Sequence, residues 1–291
     1  MLRLSRGDDS LVLVPEFGGA VLGWTRRGIP LLRRASPAAV LLGRPGAMGC
    51  FPLVPYCNRI ANRRFNWAGR TYELAANFGD SPHAIHGVGW QNPWRTEEIS
   101  TDRATLSLHH DAIGEAARAW PFAFAARFTY RLTAHGLTIR LEATNLHAEP
   151  APMGIGTHPW FPRTAGAAIA FQADGVWVTR DALPTRHAPV PAEWNHVEAR
   201  PVDREPLDNC FTGWRGVARI PGMRIEADPI FANLQVFTPT GADFFCVEPN
   251  SHVPDAINRP DLPKDQAMTV LAPGQTLTGS MTFAPENASG T

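Results

Sequence analysis

The chain has 291 residues, enough to bury a sizeable core in one large all-β domain or two smaller domains. Its basic and acidic residues balance to a formal net charge of zero, which gives no argument for a nucleic acid or an anionic membrane as a partner. No run approaches the roughly 20 apolar residues that a membrane helix needs, and acidic residues near the N-terminus do not fit a signal peptide. The four cysteines lack CxxC spacing, so we expect buried thiols in a cytoplasmic protein.

Short apolar or alternating runs, separated by many of the 27 prolines and 25 glycines, predict an all-β fold. Strands are predicted at Ser10–Val14, Ala104–His109, Phe122–Leu132, Leu137–Asn145, Ala168–Phe171, Val176–Thr179, Met223–Ala227, Asn233–Thr238, Phe244–Val247 and Thr276–Phe283. A short helix is predicted near Asp111–Ala119, because the sequence is alanine-rich and Pro121 follows it. The spacing of the strands predicts a large antiparallel β-sandwich or barrel. We expect a single domain over residues 1–291, with a frayed tail at 285–291.

Two polar motifs in the first third of the chain are candidates for ligand binding. Asn58 and Arg59 follow an apolar stretch, and their directional donors suit vicinal hydroxyls or a developing oxyanion, although a structural turn is equally compatible. His83 and His86 form an HxxH pair that also permits a metal, but no HExxH or cupin-like cluster accompanies it. Trp90 lies close behind, and a histidine near tryptophans also suits a sugar site.

Two further motifs lie in the middle of the chain. His158 is preceded by glycines and followed by Pro159 and Trp160, a setting in which a histidine can serve as a general acid or as a structural strand-end residue. Asp208 precedes Asn209, and this acid–amide pair suits either hydroxyl binding or an Asx-turn.

Glu248 directly follows the predicted strand Phe244–Val247 and precedes Pro249, which has no N–H to continue a ladder. This pattern predicts a carboxylate at the mouth of a buried strand. Partial desolvation there would raise the pKa of Glu248 and suit it to act as a general base.

Taken in order, these motifs resemble the aldose 1-epimerase (galactose mutarotase) family. The resemblance is carried by Asn58-Arg59-Ile60 with Phe65 and Gly69, His86-Gly87, His158-Pro159-Trp160-Phe161, Asp208, and the segment CVEPNSHVPDAIN at 246–258. It covers roughly residues 10 to 285. His86-Gly87-Val88-Gly89 and GTHPWF differ from the runs in the best-known members and are similar to broader bacterial branches, which include hexose-6-phosphate epimerases.

The resemblance implies a galactose mutarotase-like supersandwich with a sugar in an open cleft, and an isomerase that interconverts the α and β anomers of a hexose. Glu248 would act as base at O1 and protonated His158 as acid at the ring oxygen. Arg59 and His86 would stabilise charge on the reacting oxygens. Asp208 and Asn58 would bind hydroxyl groups of the sugar. Trp160 or Trp90 would stack against the sugar ring. No cofactor or metal is chemically needed. The expected partner is a small-molecule sugar, and the expected assembly is a monomer or homodimer.

Three alternatives stay open. A non-catalytic carbohydrate-binding domain would use the aromatic residues and Asn58 and Arg59, without needing both Glu248 and His158. A metal-dependent, cupin-like oxygenase would bind iron or zinc through His83, His86, His158 and Glu248. An epimerase of an anionic hexose, a 6-phosphate or 6-sulfonate sugar, would draw on the arginines at 59, 63, 64 and 70.

Overall fold

The computed structural model describes residues 1–286, and its regular secondary structure is mostly strand. The strands are β1 (Leu2–Arg6), β2 (Asp9–Val14), β3 (Ala20–Arg26), β4 (Ile29–Pro30), β5 (Pro52–Leu53), β6 (Arg59–Ile60), β7 (Arg64–Trp67), β8 (Arg70–Glu73), β9 (Ala84–Ile85), β10 (Arg95–Ile99), β11 (Arg103–His110), β12 (Phe124–Thr133), β13 (Gly136–Asn145), β14 (Ala151–Met153), β15 (Gly156–Thr157), β16 (Trp160–Pro162), β17 (Ala168–Phe171), β18 (Gly175–Arg180), β19 (Leu183–Pro189), β20 (Arg200–Pro201), β21 (Asp208–Thr212), β22 (Val217–Ile220), β23 (Met223–Ala227), β24 (Asn233–Phe237), β25 (Phe244–Asn250), β26 (Thr269–Leu271) and β27 (Thr276–Pro285). The α-helices are α1 (Pro37–Leu41) and α2 (Glu115–Ala119), and 3₁₀ turns lie at Pro45–Ala47, Ala61–Arg63, Ala192–Trp194 and Ala256–Asn258.

Two large sheets form the body of the fold. The nine-stranded sheet has the order β10-β11-β12-β13-β27-β23-β22-β17-β20. The second sheet has the order β19-β18-β21-β24-β25-β15-β5, with β16 also pairing with β25. All of the pairings in these two sheets are antiparallel. The predicted antiparallel β-sandwich is therefore confirmed.

The core lies between the two sheets. Phe161 of β16 links them, since its ring centroid is 5.7 Å from that of Phe245 and 6.2 Å from that of Phe283 on β27. Thr157 adds a polar contact, because its hydroxyl donates to Sδ of Met281 at 3.0 Å. A separate apolar cluster that includes Phe51, Ile85 and Trp90 lies outside this core. The four cysteines are buried and free, as predicted.

The most consequential difference from the sequence prediction concerns β25. Glu248 was expected at the mouth of the strand, but the ladder runs on through Pro249 to Asn250. Because side chains alternate along a strand, Glu248 projects to the face opposite Phe245 and Val247, which pack in the core. The carboxylate is thus held in the interior of a paired strand, which restricts its position more tightly than a loop would.

The other predicted strands are present with boundaries shifted by a few residues at most. The predicted helix is confirmed in part as α2, which covers only Glu115–Ala119 and ends before Pro121. Most of the predicted frayed tail, at 287–291, lies outside the described residues. The single-domain prediction stays a prediction. Within residues 1–286, no helix is long and apolar enough to cross a membrane.

Candidate active site

One face of the second sheet brings three polar side chains together from neighbouring strands. Glu248 on β25 lies directly opposite Gln235 on β24. Gln235 in turn donates from Nε2 to Oδ1 of Asp208, on β21, at 2.7 Å. Since neighbouring strands lie about 4.8 Å apart, this pairing sets the order Asp208, Gln235, Glu248 across the sheet.

His158 continues the same order on the far side of Glu248. It follows the short strand β15, which pairs with β25 on one side and β5 on the other. Its backbone N–H donates to the carbonyl of Phe51 at 3.0 Å, so the break between β15 and β16 does not leave the residue free to move. Pro159 comes next, and a proline biases the residue before it toward an extended backbone.

The side chains of Glu248 and His158 are in contact on this face of the sheet. Oε1 of Glu248 lies 3.4 Å from Nε2 of His158, and the two residues are only 2 % and 8 % exposed. Oε2 of Glu248 and Nδ1 of His158 are buried without a hydrogen-bond partner. Buried polar atoms in folded proteins are almost always paired, so this concentration of unpaired atoms marks a place where a ligand completes the bonding.

Burial pushes both groups toward their neutral forms. It lowers the pKa of His158 to about 3, and the positive charges of Arg33 and Arg59 act in the same direction. Burial also raises the pKa of Glu248 well above its usual value, reinforced by the charge of Asp208 and opposed by Arg59. Burial therefore disfavours the protonated form of His158 that the acid role uses.

Two hydrogen bonds hold His86 against the backbone of Asn58. The backbone N–H of His86 donates to the carbonyl of Asn58 at 2.8 Å, and Nδ1 of His86 accepts from the N–H of Asn58 at 3.2 Å. Burial lowers the pKa of His86 well below its usual value, with the charges of His158 and Arg59 next in effect. The neutral ring therefore carries its proton on Nε2, which leaves that atom as a donor.

Arg59 bridges this part of the site to the sheet. Its NH1 lies 3.2 Å from Oδ1 of Asn58 and 3.7 Å from Oδ2 of Asp208. Burial raises the pKa of Asp208, and Arg59 and Gln235 oppose that rise. Arg59 and Asp208 thus carry opposite charges close together in the same cavity.

Aromatic rings enclose the histidine. The ring of His158 lies 4.7 Å from that of Phe51 and 5.1 Å from that of Trp160, which is nearly parallel to it. Trp90 lies 5.5 Å from Phe51. Such apolar ring faces match the C–H-rich faces of a sugar, and they also exclude water from the acid–base pair.

A cavity of about 240 Å³ collects these groups. All eight residues that the sequence predicted line it, namely Asn58, Arg59, His86, Trp90, His158, Trp160, Asp208 and Glu248. Sequence reasoning missed Gln235, Phe51, Phe78, Phe237, Gly46 and Ile85, which line it as well. For Gln235 a signal existed, since it is a polar residue between the apolar Leu234 and Val236 in a predicted strand.

Residues singled out for the alternative functions are not all brought together. His83 does not line the cavity, and its Nδ1 accepts from the N–H of Asn62 at 3.0 Å. Within residues 1–286, His158, Cys246 and Glu248 are the one group of three potential metal ligands close enough to share an ion. The four-residue set expected of a cupin-like site therefore does not converge. Of the arginines at 59, 63, 64 and 70, only Arg59 lines the cavity.

Comparison with known proteins agrees with this geometry. Residues 1–284 match the family model described as aldose 1-epimerase. The chain belongs to the aldose 1-epimerase family. It is 34 % identical over 288 residues to the uncharacterized Escherichia coli K12 protein YphB, covering 94 % of each chain.

Solved structures place the fold in the same family. A candidate aldose 1-epimerase from Escherichia coli K12 superposes with a TM-score of 0.86 at 33 % identity, covering 98 % of both chains. A galactose mutarotase-like protein from Clostridium acetobutylicum has a TM-score of 0.84 at 20 % identity, covering 98 % of this chain and 94 % of the other. The latter likeness concerns the fold alone.

Proposed function

We propose that the protein is an aldose 1-epimerase that interconverts the α and β anomers of a neutral aldohexose by acid–base ring opening. The observation that carries the proposal is the contact between Glu248 and His158, with unpaired atoms on both side chains at the cavity. O1 and the ring oxygen of a hemiacetal are bonded to the same carbon. Two neighbouring proton-transfer groups can therefore act on both oxygens at once.

The reaction can be written with all atoms balanced. The Glu248 carboxylate removes the proton from O1 while the C1–O5 bond breaks, and the imidazolium of His158 protonates O5. The open-chain aldehyde rotates about its C1–C2 bond. O5 then attacks the other face of C1, His158 takes the O5 proton back, and Glu248 returns its proton to O1.

The shifted pKa values suit these steps. The lowered pKa of His158 and the raised pKa of Glu248 favour a single proton on the pair, held by Glu248. Proton transfer across the short gap gives the reactive form, with a carboxylate and an imidazolium. In that form a low pKa makes His158 a strong acid toward the weakly basic ring oxygen, and a raised pKa makes Glu248 a strong base toward O1.

The remaining polar groups supply hydroxyl contacts. Nε2 of His86 and the guanidinium of Arg59 are donors in the cavity, and Oε1 of Gln235 is a buried acceptor without a partner. Asp208 adds a carboxylate acceptor. Mixed donors and acceptors of this kind fit the hydroxyl groups of a sugar, each of which both donates and accepts.

The charges of the cavity favour a neutral sugar over an anionic one. Arg59 is the single arginine or lysine among the residues that line it, and Asp208 lies 3.7 Å away with the opposite charge. A phosphate or sulfonate would need a cation that is not already balanced. The anionic-hexose alternative therefore loses the arginine cluster on which the sequence argument depended.

Exchange NMR of anomer signals over a panel of neutral hexoses and their 6-phosphates tests the proposal without a coupled assay. We expect catalysed exchange for at least one neutral hexose, with kcat/KM at least about tenfold above that of its 6-phosphate. Binding of sugars with no catalysed exchange would support a carbohydrate-binding domain instead. A preference for the 6-phosphate that weakens as salt rises would support the anionic-sugar epimerase.

A further inference from the structure

A second, larger hollow opens from the catalytic cavity. This groove of about 1040 Å³ shares Gly46, Phe78 and Trp90 with the cavity. Its own lining includes Phe17, Leu41, Leu42, Arg44 and Gln91. Leu41, Leu42 and Phe78 are 85 %, 58 % and 49 % exposed, so apolar surface faces solvent along the groove.

The groove begins at one defined end of the catalytic cavity. A chain of rings runs from His158 to Phe51 at 4.7 Å, from Phe51 to Trp90 at 5.5 Å, and from Trp90 to Phe78 at 6.4 Å. Gln235 and Asp208 lie on the opposite side of Glu248, toward the other edge of the sheet. The order along the site is therefore polar residues, base, acid, aromatic rings and groove.

This order fixes which end of a bound sugar points at the groove. With O1 at Glu248 and the ring oxygen at His158, the atoms beyond the ring oxygen are C5 and its substituent C6. They extend toward Phe51 and Trp90, while C2 lies on the Gln235 side. A group attached at C6 would leave the cavity past Phe78 and enter the groove.

We infer that the groove is a subsite for a second, neutral sugar unit attached at C6 of the aldose, so that the enzyme accepts reducing 6-O-glycosyl hexoses. The inference rests on the proposed function, since it uses the assigned positions of O1 and the ring oxygen. Phe78 and Phe17 offer ring faces for stacking, and Gln91 offers an amide for hydroxyls. Glu16 and Arg44 are the only charged residues that line the groove, and Glu16 pairs with the N-terminal amine of Met1 at 3.3 Å. A single arginine beside a carboxylate is not the cluster of cations that a phosphate needs, so the lining fits a neutral extension better.

The test compares three substrates by exchange NMR: the hexose that the enzyme prefers, its 6-O-glucosyl derivative and its 2-O-glucosyl derivative. We expect kcat/KM for the 6-O derivative to equal or exceed that of the hexose, and that for the 2-O derivative to be at least about tenfold lower. A 6-O derivative turned over at less than about a tenth of the hexose value would overturn the inference.

A double variant, Leu42→Ser with Gln91→Ala, tests the groove itself, because both side chains line it and neither lines the cavity. We expect KM for the 6-O derivative to rise about tenfold while kcat/KM for the hexose stays within about twofold. The matched control is Ile113→Ser, at a residue that is 77 % exposed and lines neither hollow.

The outcomes separate the inference from the proposed function. Wild-type protein that exchanges no hexose at all would reject the function, and the groove would lose its assigned substrate. Hexose exchange that the double variant slows equally for both substrates would reject the subsite alone. A dimer in gel filtration that the double variant dissociates would assign the groove to a second copy of the chain and would also reject the subsite.

Discussion

Oε1 of Glu248 and Nε2 of His158 lie 3.4 Å apart, although 89 residues separate them along the chain. Glu248 is fixed by pairing of β25 with β24, and His158 by its backbone bond to Phe51. The acid and the base are thus held by different strands of one sheet. Their spacing depends on the sheet rather than on a flexible loop, and the predictions below follow from that arrangement.

Replacing either member of the pair should abolish most of the activity. We expect Glu248→Gln and His158→Asn each to lower kcat by about 10²-fold or more, because each removes one of the two proton transfers. Both changes are nearly isosteric, so the circular dichroism spectrum and the melting temperature should change little. Glu73→Gln and His135→Asn, at exposed positions, are the matched controls. A folded Glu248→Gln enzyme with most of its activity would refute the assignment.

The pH profile should lack a transition at the ordinary histidine pKa of about 6.5. The one-proton form of the pair should persist from near the lowered pKa of His158, about 3, to the raised pKa of Glu248. Activity should fall when the pair gains a second proton on the acid side, or loses its only proton on the alkaline side. Measuring kcat/KM against pH in stable protein checks this, and a single transition centred near 6.5 would contradict it.

Arg33 should determine the pH at which kcat/KM falls on the acid side of the pH profile. Its guanidinium lies 3.8 Å from the ring centroid of Trp160, which stacks on His158, and its charge lowers the pKa of His158. Arg59 acts in the same direction. Removing one positive charge makes protonation of His158 easier, so Arg33→Gln should move the fall of kcat/KM on the acid side of the pH profile to higher pH.

The control for that shift is Arg64→Gln, which changes an exposed arginine outside the cavity. If Arg33 had only a structural role, Arg33→Gln would lower kcat/KM equally at all pH values and would not shift the pH at which it falls. That outcome would reject the electrostatic role while leaving the packing of Trp160 as an explanation.

Chelation should leave the activity intact. The proton transfers need only the side chains of Glu248 and His158, and His83 does not join them. Exchange measured before and after treatment with EDTA, alongside elemental analysis of the purified protein, checks this. Activity lost on chelation and restored by a divalent ion would instead assign His158, Cys246 and Glu248 as metal ligands.

His252 should stabilise the fold without taking part in catalysis. It is buried outside the cavity, where Nε2 accepts from the N–H of Cys57 at 2.9 Å and Nδ1 donates to the carbonyl of Val253 at 2.8 Å. We expect His252→Leu to lower the free energy of unfolding at pH 7 by about 1–3 kcal/mol, because a buried N–H loses its acceptor. His135→Leu at an exposed position is the control.

The same variant should change how stability depends on pH. Burial lowers the pKa of His252 to about 4, so the unfolded chain takes up a proton at this residue between pH 6.5 and 4 while the folded protein does not. The histidine therefore stabilises the fold above pH 6.5, and this contribution is lost as the pH falls. Urea unfolding measures this. Between pH 6.5 and 4, the free energy of unfolding of His252→Leu should depend less steeply on pH than that of the wild type, by up to about 1.4 kcal/mol per pH unit.

The sequence alone determined the residue types of the site and the local geometry of their strands. The apolar run Phe244–Val247 predicted a strand with the carboxylate of Glu248 directly behind it, and this run forms the first part of β25. Pro159 biases His158 toward an extended backbone, and the order of the motifs indicated the family. These features are local, because side-chain alternation and backbone preferences depend on neighbouring residues.

Only the tertiary structure decided which residues meet. The order of the second sheet places β24 on one side of β25 and β15 on the other, so Gln235 and His158 flank Glu248, although His158 is distant in sequence. The continuation of β25 past Pro249, the exclusion of Arg63 and Arg64 from the cavity, and the groove beside Phe78 follow from such long-range packing. The pKa shifts of Glu248 and His158 arise in the same way. Burial sets them, and burial is produced by strands and loops far apart in the chain.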